Sequence, residues 1–351
     1  MNYISASITK LVMLFRHYSA TNWRRKQEST WNKMTDKGLF DEAEVRNDIE
    51  VDPEEPTLKV RAVFVHGQNL EQKERHKAKY RDAKSRTLLA EVRVQYDLWK
   101  EANGQLEGPH SAPTDNDFDT IQQRVKLFSD YKDFIDRQDI AECFDSRSNL
   151  HSSVLEEFVY YLFRDLVGSF EGRPLLGKAH TFKDLFFFPA GYEEMLSQPN
   201  VRVETKDHDF VIGASIKSHF HSDGSDAVEE FIFEIPAIAI ECKTYLDKTM
   251  LEGSSVAAEQ LKQRNPNALY IVVAEWLKLT SHINLKKFKV DQIYVVRKQK
   301  NTDREYRYLD GYEKKAVDAA VIFHLFQLVR EHLTKPWGGG VDEGLERGWL
   351  I

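Results

Sequence analysis

The chain has 351 residues, 41% hydrophobic and 12% aromatic, which is ample for a packed core and excludes an intrinsically disordered chain. Its only cysteines, Cys143 and Cys242, exclude a disulfide framework and a four-cysteine zinc site, and they fit a reducing compartment. A formal net charge of −7 leaves no overall basic surface, so any contact with nucleic acid must come from local concentrations of positive charge.

In chain order, residues 1–40 read as helical, with Arg24-Arg25-Lys26 a solvated face between Trp23 and Trp31. The apolar run Leu11 to Phe15 is too short for a signal-peptide core or a membrane span, so a cytoplasmic protein is expected. From Asp41 to Glu55 the chain is an acidic connector, and Val60 to His66 reads as a short strand. Residues 70–102 read as one long helix, with Leu88, Val92, Tyr96 and Trp99 at helical spacing. Its first half carries Lys73, Arg75, Lys77, Lys79, Arg81, Lys84 and Arg86 against Glu74 and Asp82. Two readings stand for that segment: a solvated helix face, or a surface that contacts phosphates. A loop over 104–117 leads to a helix over 118–135, and a further helix is expected over 153–167. Residues 170–200 are aromatic and read as core or as the wall of a cleft.

Two apolar runs then face each other in the sequence. Phe210, Val211, Ile212 and Ile216 make the first, and Phe231 to Ile240 the second, with Asp223-Gly224 between them as a hairpin turn. Pairing about that turn brings Asp209 beside Glu241 and Lys243. Those last two stand two positions apart and share one strand face. Pro236 cannot donate to a ladder, so a bulge or unpaired position is expected there. Charges at the end of a greasy strand must be paired or must ligate a cation. Two carboxylates and an ammonium can hold a hard divalent cation with a water beside it, the equipment for phosphodiester hydrolysis. Beyond the hairpin, 254–264 reads as a helix, Leu269 to Ala274 and Gln292 to Arg297 as strands, and Asp318 to Leu333 as an apolar helix. The remaining tail, 336–351, is Gly-rich and is expected to be flexible.

Asp209…Glu241-Cys242-Lys243 resembles the PD-(D/E)xK nuclease signature, and SSVLEEFVYYLFRDL resembles that family's core helix, with Glu156 fitting better than Glu157. KDHDFVIG and ECKTYLDKTMLE also look like the BbvCI-type restriction enzymes. The resemblance covers roughly 150–298 and departs from the pattern in having His208, not Pro, before Asp209.

The resemblance implies an α/β (α+β) fold: a restriction-endonuclease-like mixed β-sheet flanked by helices, over 146–335. The mainly helical region 1–145 would then serve DNA recognition. It implies a type II restriction endonuclease that hydrolyses double-stranded DNA with Mg²⁺. Asp209, Glu241, Lys243 and Glu156 would be catalytic, and Asp209, Glu241 and the Cys242 carbonyl would hold the metal. A homodimer or a second nuclease subunit, and a companion DNA methyltransferase, would be the partners, with no membrane. Asp223 and Asp226 are rival ligands, and His219-x-His221 reads as solvated turn histidines. The alternatives are a repair or structure-selective nuclease of the same fold, and a DNA-binding protein with a structural Asp/Glu/Lys cluster. A glycosidase needs two carboxylates flanking a sugar bond and has no use for the lysine.

Overall fold

Apolar residues that return every three or four positions make the first half of the described chain helical. These helices are α1 (Val65–Arg75), α2 (Ala83–Gln105), α3 (Asp117–Ile135), α4 (Gln138–Phe144) and α5 (Asn149–Gly168). The computed structural model describes residues 63–144, 149–300, 308–309, 311–338 and 341–348, all within one compact unit spanning 60–351. The helix expected over 1–40, its Arg24-Arg25-Lys26 cluster and the acidic connector lie outside the described residues.

Two expectations in this half are corrected. Val65 and His66 open α1 instead of ending a strand, because the Glu157 carboxylate accepts the backbone N–H groups of His66 and Gly67. The helix expected over 70–102 is two helices, broken at 76–82. Inside the break the His76 ring Nδ1 accepts from the Ala78 and Lys79 N–H groups, and Tyr80 takes a positive φ of 61°. Asp82 then caps α2 by accepting from the Ser85 N–H. A run of like charges at four-residue spacing weakens a helix, and the break falls inside that run.

The sheet follows. Strands β1 (Pro174–Phe187), β2 (Val201–Phe220), β3 (Glu229–Leu246), β4 (Leu269–Leu277) and β5 (Gln292–Val295) lie side by side in that order. The β1–β2 and β2–β3 pairs are antiparallel, whereas β3–β4 and β4–β5 are parallel. A short helix α6 (Tyr192–Ser197) joins β1 to β2, and α7 (Lys248–Arg264) makes the crossover from β3 to β4. Asp247 caps α7, and Asp318 caps α8 (Ala319–Thr334). The tail expected to be flexible carries a last helix, α9 (Val341–Arg347).

Helices cover both faces of the sheet. On one, α5 and α8 pack Phe158, Leu162, Phe163 and Phe326 against Phe210, Ile238, Ile240 and Ile271. On the other, Leu251, Ala258 and Leu261 of α7 meet Ala239, Tyr270 and Val272. A mixed sheet flanked by helices is the fold the sequence implies. The first core also takes in Leu70, Val92, Tyr96 and Phe128, so the apolar interior runs unbroken past residue 145. Of the aromatic stretch over 170–200, read as core or as the wall of a cleft, Phe182 and Leu185 are half-buried while Phe186, Phe187 and Phe188 are exposed at the end of β1.

The expected irregularity at Pro236 is present. Ile212 pairs with Ile238 but Gly213 pairs with Pro236, leaving Ala237 unpaired. No helix among the described residues is long and apolar enough to cross a membrane.

Candidate active site

β3 runs buried through Ile238, Ala239 and Ile240 to the partly exposed Glu241, where its pairing with β2 has stopped and its pairing with β4 continues to Leu246. Phe210 pairs with Ile240, which sets Asp209 beside Glu241 as the hairpin reading requires. A second bulge fixes how Asp209 points. On the β1 side Gly177 pairs with Val211 and Ala179 with His208, so Asp209 and Phe210 together oppose Lys178. An extra residue in one strand breaks the alternation of faces and re-aims a side chain. Phe210 accordingly packs into the core beneath α5, while the His208 ring meets Tyr270 on the other face. Asp209, between them, reaches the cleft.

The Lys243 ammonium joins the two carboxylates. Its Nζ lies 2.6 Å from Glu241 Oε2 and 3.1 Å from Asp209 Oδ2. Asp209 Oδ2 also accepts the Cys242 backbone N–H at 2.9 Å, and Glu241 Oε1 accepts the Tyr270 hydroxyl at 3.2 Å. The two carboxylates thus share one ammonium. Two anions that close need a proton or a cation between them.

Titration reflects that crowding. Burial, and then the charge of Asp209, raise the Glu241 pKa. Burial alone would lower the Lys243 pKa, but Asp209 and Glu241 together raise it, so the ammonium stays charged. Glu156 projects from α5 into the same cavity, where burial and then Asp209 push its pKa up to about 7. Burial holds the Cys242 thiol protonated and unreactive, which leaves its backbone as its contribution.

The cavity has a volume of about 390 Å³, and Asn69, Ser152, Glu156, Lys178, Asp209 and Lys243 are among the residues lining it. Thr244 and Tyr245, which follow Glu241-Cys242-Lys243, line it as well. Glu157, next to Glu156, is turned away into the protein and buried, where it accepts from Tyr96 and Tyr161. Asp223 and Asp226 sit at the turn, beyond the Phe220–Glu229 pair and at the far end of the hairpin from Asp209. His219 and His221 are exposed there too, and His219 faces Glu230.

Oxygen donors of this kind suit a hard divalent cation. Among the described residues no three His, Cys, Asp or Glu side chains converge as a ready-made cation cage. The donors that fit are the Asp209 and Glu241 carboxylates, with the ammonium now standing between them.

The basic segment is a solvent-facing turn between α1 and α2. Arg75, Lys77, Lys79, Arg81, Lys84 and Arg86 are exposed, while Lys73 is half-buried with its ammonium over the Tyr80 ring. Arg75 pairs with Glu71 at 2.5 Å, and Arg86 donates to the Glu74 carbonyl. Asn69 on α1 lines the cavity, and Lys73 stands one turn further along the same helix.

Sequence pattern does not single out Asn69, Asn149, Ser152 and Lys178 in the cavity, nor Tyr270 beneath Glu241. Lys178 nevertheless carries a signal. Glycine followed by lysine inside an apolar strand marks a bulge with an outward charge, and Gly177 has a positive φ of 114°.

A family model, that of the Bpu10I restriction endonuclease, matches residues 147–335. The chain is also similar in structure to the native BbvCI A2B2 tetramer, with a TM-score of 0.58 and 18% sequence identity over 79% of this chain and 99% of that one. No curated protein sequence matches. The matched segment takes in the core helix, all five strands and the Asp209–Glu241–Lys243 cluster, and the chain belongs to the Bpu10I restriction endonuclease family.

Proposed function

We propose that this chain is a subunit of a type II restriction endonuclease that hydrolyses double-stranded DNA with Mg²⁺. The observation that carries the proposal is Lys243, held between Asp209 and Glu241 on the floor of an open cleft. Asp209, Glu241 and the Cys242 carbonyl would hold the cation. When bound, Mg²⁺ supplies a Lewis acid for the phosphodiester and lowers the pKa of water beside it.

The chain's own groups do the rest. Lys243, freed from part of its ion pairing, orients the attacking water and stabilises charge gathering on the phosphate. Glu156 titrates near neutrality and can take or hold a proton at the same cleft. The exposed basic turn from Arg75 to Arg86 approaches the DNA backbone, in a helical region before residue 146 that serves recognition; the stretch 146–335 is the nuclease core. One cation site cuts one strand, so a second nuclease subunit completes the duplex cut; the BbvCI relative is itself an A2B2 tetramer. The enzyme acts in the cytoplasm beside a companion DNA methyltransferase.

The test is cleavage of a mixed DNA substrate with and without Mg²⁺, by wild type and Glu241→Ala. Discrete bands that need both metal and Glu241 support the proposal. A metal-dependent smear or cuts at DNA structures would indicate a repair-type nuclease. DNA bound but uncut by both proteins would reduce the carboxylates to a structural pair or demand the partner subunit.

A further inference from the structure

Two lysines line the cavity, and they stand in different states. Lys243 is committed to two carboxylates. Lys178 is exposed and makes no hydrogen bond or ion pair with any described residue; only its field reaches Glu156. The strand around it gives no packing reason for a lysine, since Leu175, Gly177 and Ala179 are buried and Lys178 turns out.

Its position is set by the backbone. Lys178 opposes the bulge of Asp209 and Phe210, so β1 presents this ammonium directly across from the residue that anchors the site. Cross-strand neighbours stand about 5 Å apart at Cα, and a lysine stem adds a reach of similar length. Against these two lysines the cavity sets Glu156 and Asp209, with Glu241 just behind. A phosphodiester entering such a site meets anionic groups whose nearest cation, Lys243, is already shared. An uncommitted cation on the opposite wall offsets that repulsion.

We infer that Lys178 is a second phosphate-contacting residue, which holds the DNA backbone in the cleft from the β1 side while Lys243 serves the reacting phosphate. The inference rests on the nuclease reading for the identity of the polyanion. It asks of Lys178 a positioning role by charge, without proton transfer. Arginine should therefore replace it and alanine should not.

The experiment measures binding of a mixed-sequence DNA duplex by anisotropy across a salt series, with Ca²⁺ in place of Mg²⁺, and single-turnover cleavage with Mg²⁺. The proteins are wild type, Lys178→Ala, Lys178→Arg and, as a separate control, Glu241→Ala. Removing one lysine–phosphate pairing should reduce the slope of log affinity against log salt by about 1. Lys178→Ala is expected to show that smaller slope, slower cleavage and an unchanged unfolding temperature, and Lys178→Arg to restore the slope. An unchanged slope in Lys178→Ala overturns the inference, whether or not the protein cleaves. If wild type binds but cleaves nothing, the carboxylates are a structural pair or cleavage demands the partner subunit, while the slope still decides the phosphate contact. A wild type that binds no DNA at all overturns both.

Discussion

Glu157 Oε2 accepts the backbone N–H of His66 at 2.9 Å, so a carboxylate of the core helix caps a helix 91 positions earlier in the chain. The same oxygen takes the Gly67 N–H at 3.2 Å, and the other oxygen takes the Tyr96 and Tyr161 hydroxyls. Gly67 is needed for this closeness, since a Cβ there would stand 2.3 Å from the Tyr96 hydroxyl oxygen. Through this contact α1, with Asn69 on the cavity wall, is fastened to α5, which carries Glu156.

Glu157→Ala is therefore expected to destabilise the fold rather than the chemistry. Two helix N–H groups and two hydroxyls lose a partner, and leaving buried donors unpaired costs about 1–3 kcal/mol each at most. The check is a urea titration with matched cleavage assays. The unfolding midpoint should drop clearly, while activity per folded molecule should fall far less than in Glu241→Ala.

The imidazole of His66 belongs to the same buried cluster, with Ser153 at 3.0 Å and Tyr131 at 2.6 Å. Burial, aided by His151 and Lys132, pulls its pKa down to about 3 from an ordinary value of 6.5. Between those two values the unfolded chain binds a proton that the fold refuses. Stability carried by neutral His66 is thus complete above pH 6.5 and is lost as pH falls toward 3. His66→Gln should flatten that acid limb in a series of urea midpoints. Some slope should remain, because burial also lowers the pKa of His151 and of His208, the latter to about 4.

Pro236 shows how far the sequence can be read, because its missing N–H announces a bulge before any coordinates exist. Pairing about the Asp-Gly turn likewise places Asp209 beside Glu241, and Gly224 takes a positive φ of 80°. The fold class and the restriction-enzyme resemblance are legible for the same reason: apolar runs and charged ends along single strands are local signals. Other features depend on partners distant in sequence. The bulge at Asp209 is defined only by its pairing with Lys178 on β1. The break between α1 and α2 arises from His76 and Asp82 turning back on the chain, inside a stretch whose spacing alone fits a continuous helix. Buried Lys132, at 3.2 Å from Glu275 on β4, has no sequence signature, since its position on α3 looks like any other.

The bulge at Pro236 also gives a stability prediction. Gly213 lies opposite Pro236, and a Cβ on it would stand 2.1 Å from the Ile235 carbonyl oxygen, a rigid backbone atom. Gly213→Ala must push β2 from β3, three residues from Phe210 and the site. Overpacking of this kind costs about 1–3 kcal/mol. Thermal unfolding should show it as a fall in Tm, and an unchanged Tm would mean that the strands yield there freely.

The basic turn calls for a different measurement. Lys77, Lys79 and Arg81 are exposed, and Arg81 Nε donates to the Lys77 carbonyl within the turn. If the turn lies on the DNA backbone, replacing all three by alanine weakens binding to every sequence alike. The salt slope should fall by about 1 for each phosphate that is no longer neutralised. Selective weakening at one sequence would assign the turn to base readout, and unchanged binding would return it to a solvated surface.

Lys243→Ala separates chemistry from binding. The nuclease reading gives the ammonium a place in the transition state, so cleavage should drop by about 10²–10³-fold or more while DNA binding persists. The structure adds a second expectation, because Lys243 stands between the carboxylates that would receive the cation. Without it, Asp209 and Glu241 face each other half-buried with no positive charge between them, which destabilises the metal-free protein. A divalent cation then meets no competitor and binds at least as tightly as in wild type. Adding Mg²⁺ should therefore raise the Tm of Lys243→Ala by more than it raises that of wild type, since a ligand stabilises the state that binds it. Equal shifts would place the cation away from these carboxylates, and loss of both cleavage and DNA binding would make Lys243 a structural residue.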